Sequence, residues 1–142
     1  MRILISACLL GVSCRYDGAS RPHPKVTALA GRHELIPICP EQLGGLPTPR
    51  PPAERQGDAV RTRETDVTVQ YRRGAQEALK LYRLMGCEVA ILKERSPSCG
   101  SGRIYDGTFS GTLRPGDGVT AELLRFHDIP VYGESDIDRF LE

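Results

Sequence analysis

Three of the five cysteines in this sequence stand where chemistry would need them. Cys8, Cys39 and Cys99 each follow closely on a short apolar run that reads as a β-strand. Each is also flanked by Gly or Pro, in Cys8-Leu9-Leu10-Gly11, Cys39-Pro40-Glu41 and Pro97-Ser98-Cys99-Gly100. A thiolate is a soft ligand, and three thiolates delivered by three loops can hold a zinc ion or three irons of a cubane [4Fe–4S] cluster. With three protein ligands, one metal position stays open to a substrate. The Gly and Pro neighbours permit tight turns and close backbone approach, so that amide N–H groups can point at cluster sulfurs. The other two cysteines carry weaker signals. Cys14 lies in a polar loop six residues past Cys8, a plausible but undemanding ligand spacing. Cys87 falls between a helix and a strand and reads as a small buried hydrophobe.

Polar residues cluster near the same positions. Glu41 comes two residues after Cys39, within reach of whatever the thiolates hold, although most Glu residues are simply solvated carboxylates. Ser96, Ser98 and Ser101 surround Cys99, where turn serines commonly bond their own backbone. Lys93, Arg95 and Arg103 flank the third cysteine, and Arg50 sits in a proline-rich stretch. Taken together such cations can hold a phosphate, and the amides of Gly100, Ser101 and Gly102 can form an anion nest. Taken singly, each reads as an ordinary surface cation. His23, His33 and His127 fit no ligand spacing, and Gly44-Gly45 reads as a pair of turn glycines.

The elements that position these residues alternate between strand and helix. Residues 3–5, 34–38, 89–92 and 129–132 are short apolar strands, and Pro37 demotes the second to an edge. Residues 25–32 hold one short helix, with Val26, Leu29 and Ala30 on one side. Residues 67–85 form the strongest helix, because Val67, Tyr71, Ala75, Ala78, Leu81, Tyr82 and Met85 recur at three- and four-residue steps. Asp66 caps its start and Gly86 ends it. Residues 120–127 form a second amphipathic helix with Leu123, Leu124 and Phe126, and Ser135 caps a terminal turn over 136–141. The stretch 40–57 reads as a long shaped loop, 58–65 as room for a short strand, and 96–118 as Gly-rich loop. This order predicts a single α/β domain spanning 1–142, a Rossmann-like, mostly parallel sheet flanked by helices. Ligands of such sheets sit outside the carboxyl ends of the strands, which is where Cys8, Cys39 and the 93–102 segment fall.

Composition narrows the function classes. The chain has 142 residues, 39% apolar and 26% charged, as expected of a globular domain that needs no disulfide staples. Nineteen Lys and Arg against eighteen Asp and Glu leave a net charge of +1. Without a basic footprint, nucleic acid is not the expected partner. No apolar run approaches a membrane span, and the N-terminal run lacks a cleavage site. A reducing cytoplasm is therefore expected, where an odd number of cysteines reads as thiols or metal ligands. The 15 Gly and 11 Pro belong to long loops at the ligand end.

Several longer motifs occur in fixed order. They are Ser6-Ala7-Cys8-Leu9-Leu10-Gly11, Arg15-Tyr16-Asp17-Gly18, Cys39-Pro40-Glu41, the run from Gly44-Gly45 through Pro51-Pro52-Ala53-Glu54, and Leu92-Lys93-Glu94-Arg95-Ser96-Pro97-Ser98-Cys99-Gly100. Ile104-Tyr105-Asp106-Gly107-Thr108-Phe109 and Gly116-Asp117-Gly118-Val119-Thr120-Ala121 complete the set. Over about residues 1–133 the chain closely resembles the thiouracil desulfidase family. The resemblance implies an enzyme with a [4Fe–4S] cluster on three cysteines, matching Cys8, Cys39 and Cys99, and one open iron. That iron takes the sulfur of a thiolated pyrimidine, such as 4-thiouracil or 4-thio-UMP. Water then yields the oxo-pyrimidine and hydrogen sulfide without net redox change. Glu41 matches the family's acid and Ser98, favoured over Ser96, its serine. Lys93, Arg95, Ser96 and Ser101 are expected to bind substrate, and iron–sulfur assembly machinery is expected to load the cluster. The alternatives are a metal- or cluster-binding sensor or sulfur carrier, and de-thiolation of tRNA 4-thiouridine.

Overall fold

The computed structural model describes Met1–Glu142. Its centre is a four-stranded, wholly parallel sheet of β1 (Arg2–Ser6), β2 (Glu34–Ile38), β5 (Val89–Leu92) and β8 (Val131–Gly133), in the spatial order β2-β1-β5-β8. β1 pairs Ile5 with Pro37 on one side and with Ile91 on the other. Proline cannot donate to a ladder, and Pro37 accordingly lies on the edge strand β2.

The centres of the two middle strands, Ile3–Ile5 and Val89–Leu92, are apolar because both of their faces are covered. Leu4, Ala90 and Leu92 face α3 (Thr68–Leu84) and α4 (Val119–Phe126), whose Ala78, Leu79, Ala121 and Leu124 complete that core. Ile3, Ile5, Val89 and Ile91 face the other way, onto Leu29 of α1 (Val26–Ala30), Leu9 and Ile137. Leu9 lies in a 3-10 turn over Ala7–Leu10, and Ile137 in a C-terminal one over Glu134–Phe140. Phe126 departs from the expected apolar stripe: it lies on the outer face of α4, 80% exposed. The start of α3 is fixed by the Asp66 carboxylate, which accepts the Thr68 N–H at 2.9 Å. Its end passes into Gly86, in the left-handed region.

Three departures from the sequence reading concern short elements. The 40–57 stretch contains a helical turn, α2 (Pro40–Leu43), and a strand, β3 (Glu54–Gln56), which pairs antiparallel with β4 (Ala59–Arg61). The Gly-rich stretch carries a second hairpin, β6 (Arg103–Tyr105) with β7 (Leu113–Pro115). Elements of three or four residues show no periodicity. Pro40 also reads as loop punctuation although it sits at the start of α2, where proline suits a helix. The terminal turn is closed not by Ser135 but by the Asp136 carboxylate, which accepts the Gly133 N–H at 3.2 Å. Ser135 instead donates its N–H (2.8 Å) and hydroxyl to Glu94.

The strand order reverses between β1 and β5. The chain first steps outward to β2 and then returns to the other side, leaving a crevice beyond the carboxyl ends of the central strands.

Candidate active site

A cavity of about 510 Å³ opens in that crevice. Four cysteines line it: Cys8 from the turn after β1, Cys14 from the loop beyond, Cys39 at the junction of β2 and α2, and Cys99 from the loop after β5. All are free thiols. Cys87 is not among them and packs against the core formed by α3 and α4. The structure therefore adds Cys14 to the three cysteines singled out by strand-end position. Its thiol is buried, and its carbonyl lies 3.8 Å from the Cys39 Sγ.

Cys39 and Cys99 are placed by different local devices. Cys39 precedes Pro40, and α2 is seated on α3 by two glycines. A Cβ on Gly44 would lie 1.9 Å from the Gln70 carbonyl oxygen, and one on Gly74 would lie 1.8 Å from that of Pro40. Only glycine at both points allows this approach. Cys99 follows a reversal at Arg95, whose φ of 69° lies in the left-handed region. The loop then packs on the start of α4. There the Val119 N–H donates to the Pro97 carbonyl at 2.9 Å, and the Thr120 N–H to that of Ser98 at 2.8 Å. These first N–H groups of α4 are thus satisfied by the loop, as an uncapped helix start requires. The Ser6 hydroxyl accepts the Lys93 N–H at 2.8 Å and ties together the ends of β1 and β5.

Cys14, Cys39 and Cys99 are held above the ordinary thiol range. Burial pushes Cys99 up to about 12, and the Ser6 hydroxyl opposes it only in part. Cys39 is raised by the neighbouring Cys14 thiol and then by burial. For Cys14 the Cys39 contact favours the thiolate, but the Cys8 thiol and burial outweigh it. A bound cationic group reverses this balance, because a coordinated thiol loses its proton outright. Four free thiols delivered to one cavity by separate loops form a soft sulfur donor set, and such a set suits iron–sulfur clusters. The residues present fit such a group.

Glu41 lies on the cavity wall as the second residue of α2. Its Oε1 accepts the Arg50 Nε–H at 2.9 Å and the Tyr71 hydroxyl at 2.8 Å. Burial alone would lower the Arg50 guanidinium, but the Glu41 carboxylate holds it above its ordinary value. Burial, and then the same carboxylate, pushes the Tyr71 phenol up.

The remaining expected residues divide. Ser96, Lys93 and Arg95 line the cavity. The Ser96 hydroxyl oxygen accepts the N–H groups of Ser98 and Cys99, both at 3.1 Å, and so shapes the turn that carries the ligand. Lys93 is engaged by Glu134 at 2.7 Å, whereas Arg95 is exposed at the rim. Ser98 is fully buried with its hydroxyl 2.8 Å from that of Thr120, outside the cavity lining. Position within Ser-Pro-Ser-Cys cannot tell which serine turns inward, and the structure turns Ser96 inward. Ser101 also lies off the cavity, with its hydroxyl held by Arg125. The amide nest expected beside it is occupied internally: the Gly102 N–H donates to Asp117 at 2.7 Å and that of Gly100 to the Ser96 carbonyl at 2.8 Å. Arg103 is an exposed β6 residue away from the cavity.

Sequence reasoning missed Tyr71, which sits in the apolar stripe of α3 and reads as core. It also missed the wall formed by the two hairpins. That wall brings Tyr105, Phe109 and Arg63 to the cavity, with the Arg63 guanidinium 5.0 Å from the Phe109 ring centroid. The Glu54 carboxylate holds the wall by accepting the Gly107 and Phe109 N–H groups at 3.0 and 3.2 Å.

Comparison with known proteins places the chain in a family. The pattern of the 2-thiouracil desulfurase family matches residues 3–136. Protein YbbK of Bacillus subtilis (strain 168) is 41% identical over 150 residues, covering 98% of this chain and 99% of that protein. A solved structure described as the [4Fe–4S]-dependent thiouracil desulfidase TudS superposes with a TM-score of 0.92 at 49% identity, over 98% of this chain and 94% of that one. The four-stranded parallel sheet is thus that of an established enzyme fold, and the chain belongs to the 2-thiouracil desulfurase family, whose members act on C–S bonds.

Proposed function

We propose that this protein is an iron–sulfur-dependent, non-redox desulfidase. It converts 4-thiouracil or 4-thio-UMP, with water, to uracil or UMP and hydrogen sulfide. The observation that carries the reading is the meeting of Cys8, Cys39, Cys99 and Glu41 on one cavity at the switch point of the sheet. Cys8, Cys39 and Cys99 would hold the [4Fe–4S] cluster. When bound, the cluster supplies a thiophilic iron without a protein ligand, which polarises the C–S bond as a Lewis acid.

The chain's own residues supply the rest. Glu41 takes the proton of the water that attacks the thiolated carbon, a role worth about 10²–10⁴-fold. Ser96 shapes the turn carrying Cys99 and lines the cavity. Tyr105 and Phe109 offer apolar faces for a pyrimidine ring. Arg63 and Arg95 at the rim suit the phosphate of a monophosphate, while Lys93 lines the cavity with its ammonium already paired to Glu134. The cavity volume lies in the range of small-molecule sites, and the net charge of +1 favours a small substrate over tRNA. Loading of the cluster falls to iron–sulfur assembly machinery.

The test is anaerobic purification and cluster reconstitution, followed by iron and acid-labile sulfide analysis. Turnover is then measured side by side on 4-thiouracil, 4-thio-UMP, 2-thiouracil and thiolated tRNA. The expected result is about four irons per chain, with fastest loss of the thiocarbonyl absorbance for the 4-thio compounds. One zinc and no labile sulfide would sink the cluster. Wild-type sulfide release by Glu41→Ala would remove the general base.

A further inference from the structure

We propose that Tyr71 and Arg50 are positioning residues that aim the Glu41 carboxylate. The inference rests on the reading of Glu41 as general base.

A carboxylate has two oxygens with about four acceptor sites between them. Here both protein donors fall on one oxygen. The Arg50 Nε–H and the Tyr71 hydroxyl meet at Oε1, at 2.9 and 2.8 Å, and no protein group donates to Oε2. Two donors from different elements, a loop and α3, fix the torsion of the carboxylate about its last bond. They leave Oε2 as the oxygen able to accept a water proton. Charge-assisted hydrogen bonds of this kind are the strong ones, and they gain strength in a site of low dielectric.

The two donors are themselves held rigidly. The Arg50 side chain is only 5% exposed. Its Nη1 donates to the Pro47 carbonyl (3.1 Å) and the Thr48 hydroxyl (2.9 Å), and its Nη2 to the Cys14 carbonyl (2.8 Å). The guanidinium therefore joins the proline-rich loop, the cysteine loop and the base. Tyr71 is 2% exposed among Val60 and Val67. It can reach Glu41 because Gly44 and Gly74 let α2 sit directly on α3. Neither residue need touch the substrate for its loss to be felt, because a misplacement of about 1 Å in a reacting group costs on the order of 10²-fold.

The test is a double-mutant cycle of Tyr71→Phe and Glu41→Gln in the reconstituted enzyme, with single turnovers at high enzyme concentration. Tyr71→Phe removes one donor and keeps the buried ring. It is expected to lower kcat about ten-fold, with KM within about two-fold and iron content unchanged. In the Glu41→Gln background the same substitution is expected to cost nothing further, because a positioning residue acts only through its target. A crystal structure of the apoprotein Tyr71→Phe variant is expected to show the Glu41 carboxylate rotated or in two orientations. Arg50→Lys keeps the charge without the fork and is expected to show the same split between kcat and KM. The proposal is overturned if Tyr71→Phe leaves kcat unchanged, or if its effect multiplies in full with that of Glu41→Gln. If Glu41→Gln alone retains wild-type kcat, the base assignment itself fails, and that single variant separates the two failures.

Discussion

Replacement of Gly74 by alanine tests whether the seat of α2 on α3 governs the site. In an exposed helix interior Gly→Ala stabilises by up to about 1 kcal/mol. Here the added Cβ would lie 1.8 Å from the Pro40 carbonyl oxygen, where real Cβ contacts do not fall under 3.0 Å. One of the two elements must retreat by about 1.2 Å. The obstacle is backbone on both sides, so no side-chain rotation relieves it. Overpacking of this kind costs about 1–3 kcal/mol, which against the propensity gain leaves a net loss centred on about 1 kcal/mol. That corresponds to a fall in Tm of roughly 3–5 °C. The retreat of α2 carries Cys39 and Glu41 with it and stretches the 2.8 Å bond from Tyr71. A kcat loss on the order of 100-fold is therefore expected. Thermal denaturation of the apoprotein and turnover of the reconstituted enzyme measure the two effects separately. Gly31→Ala serves as the control, because its Cβ would meet nothing closer than 3.5 Å. A Gly74→Ala protein with unchanged or higher Tm and wild-type kcat would refute the reasoning.

Serine substitutions of the cysteines are expected to sort by role: Cys8, Cys39 and Cys99 variants lose most iron on reconstitution, while Cys14→Ser and Cys87→Ser keep it, read by iron and sulfide analysis. Glu54→Gln weakens the hold on the Gly107 and Phe109 N–H groups, and steady-state kinetics are expected to show KM for a 4-thio substrate raised several-fold with kcat little changed. Burial works against ionised Glu94, but the Ser135 hydroxyl and N–H and then Lys93 and Arg95 hold its carboxyl below the ordinary range. A depressed carboxylate stabilises the fold above its unfolded pKa of about 4.3 and loses that contribution as pH falls through the folded value. Glu94→Gln is therefore expected to lower apoprotein Tm at pH 7, with the difference from wild type shrinking below about pH 4; a constant difference across that window would show that ionisation is not the cause.

The parts of this protein that were legible in its sequence are those whose physical signal is local and repeated. The strands were readable because β1 and β5 are buried on both faces and so carry unbroken apolar runs. The helix α3 was readable because its stripe recurs over 17 residues. Strand-end position then brought Cys8, Cys39 and Cys99 to one place without any tertiary information, since every strand of a parallel sheet ends on the same side. The parts that were hidden depend on contacts across the chain. Ser96 and Ser98 share one turn, and what separates them is Thr120, which lies 22 residues past Ser98 and claims its hydroxyl. Tyr71 fits an apolar stripe, and only its end, the hydroxyl that meets Glu41 from 30 residues away, distinguishes it from core. Gly44 and Gly74 look like a turn glycine and a weak point in a helix, yet each is the space the other element occupies. Motif order identifies the family more readily than the machinery around the motifs, because Arg50, Tyr71 and the two glycines bear on the proposed chemistry only through the position they impose on Glu41 and Cys39.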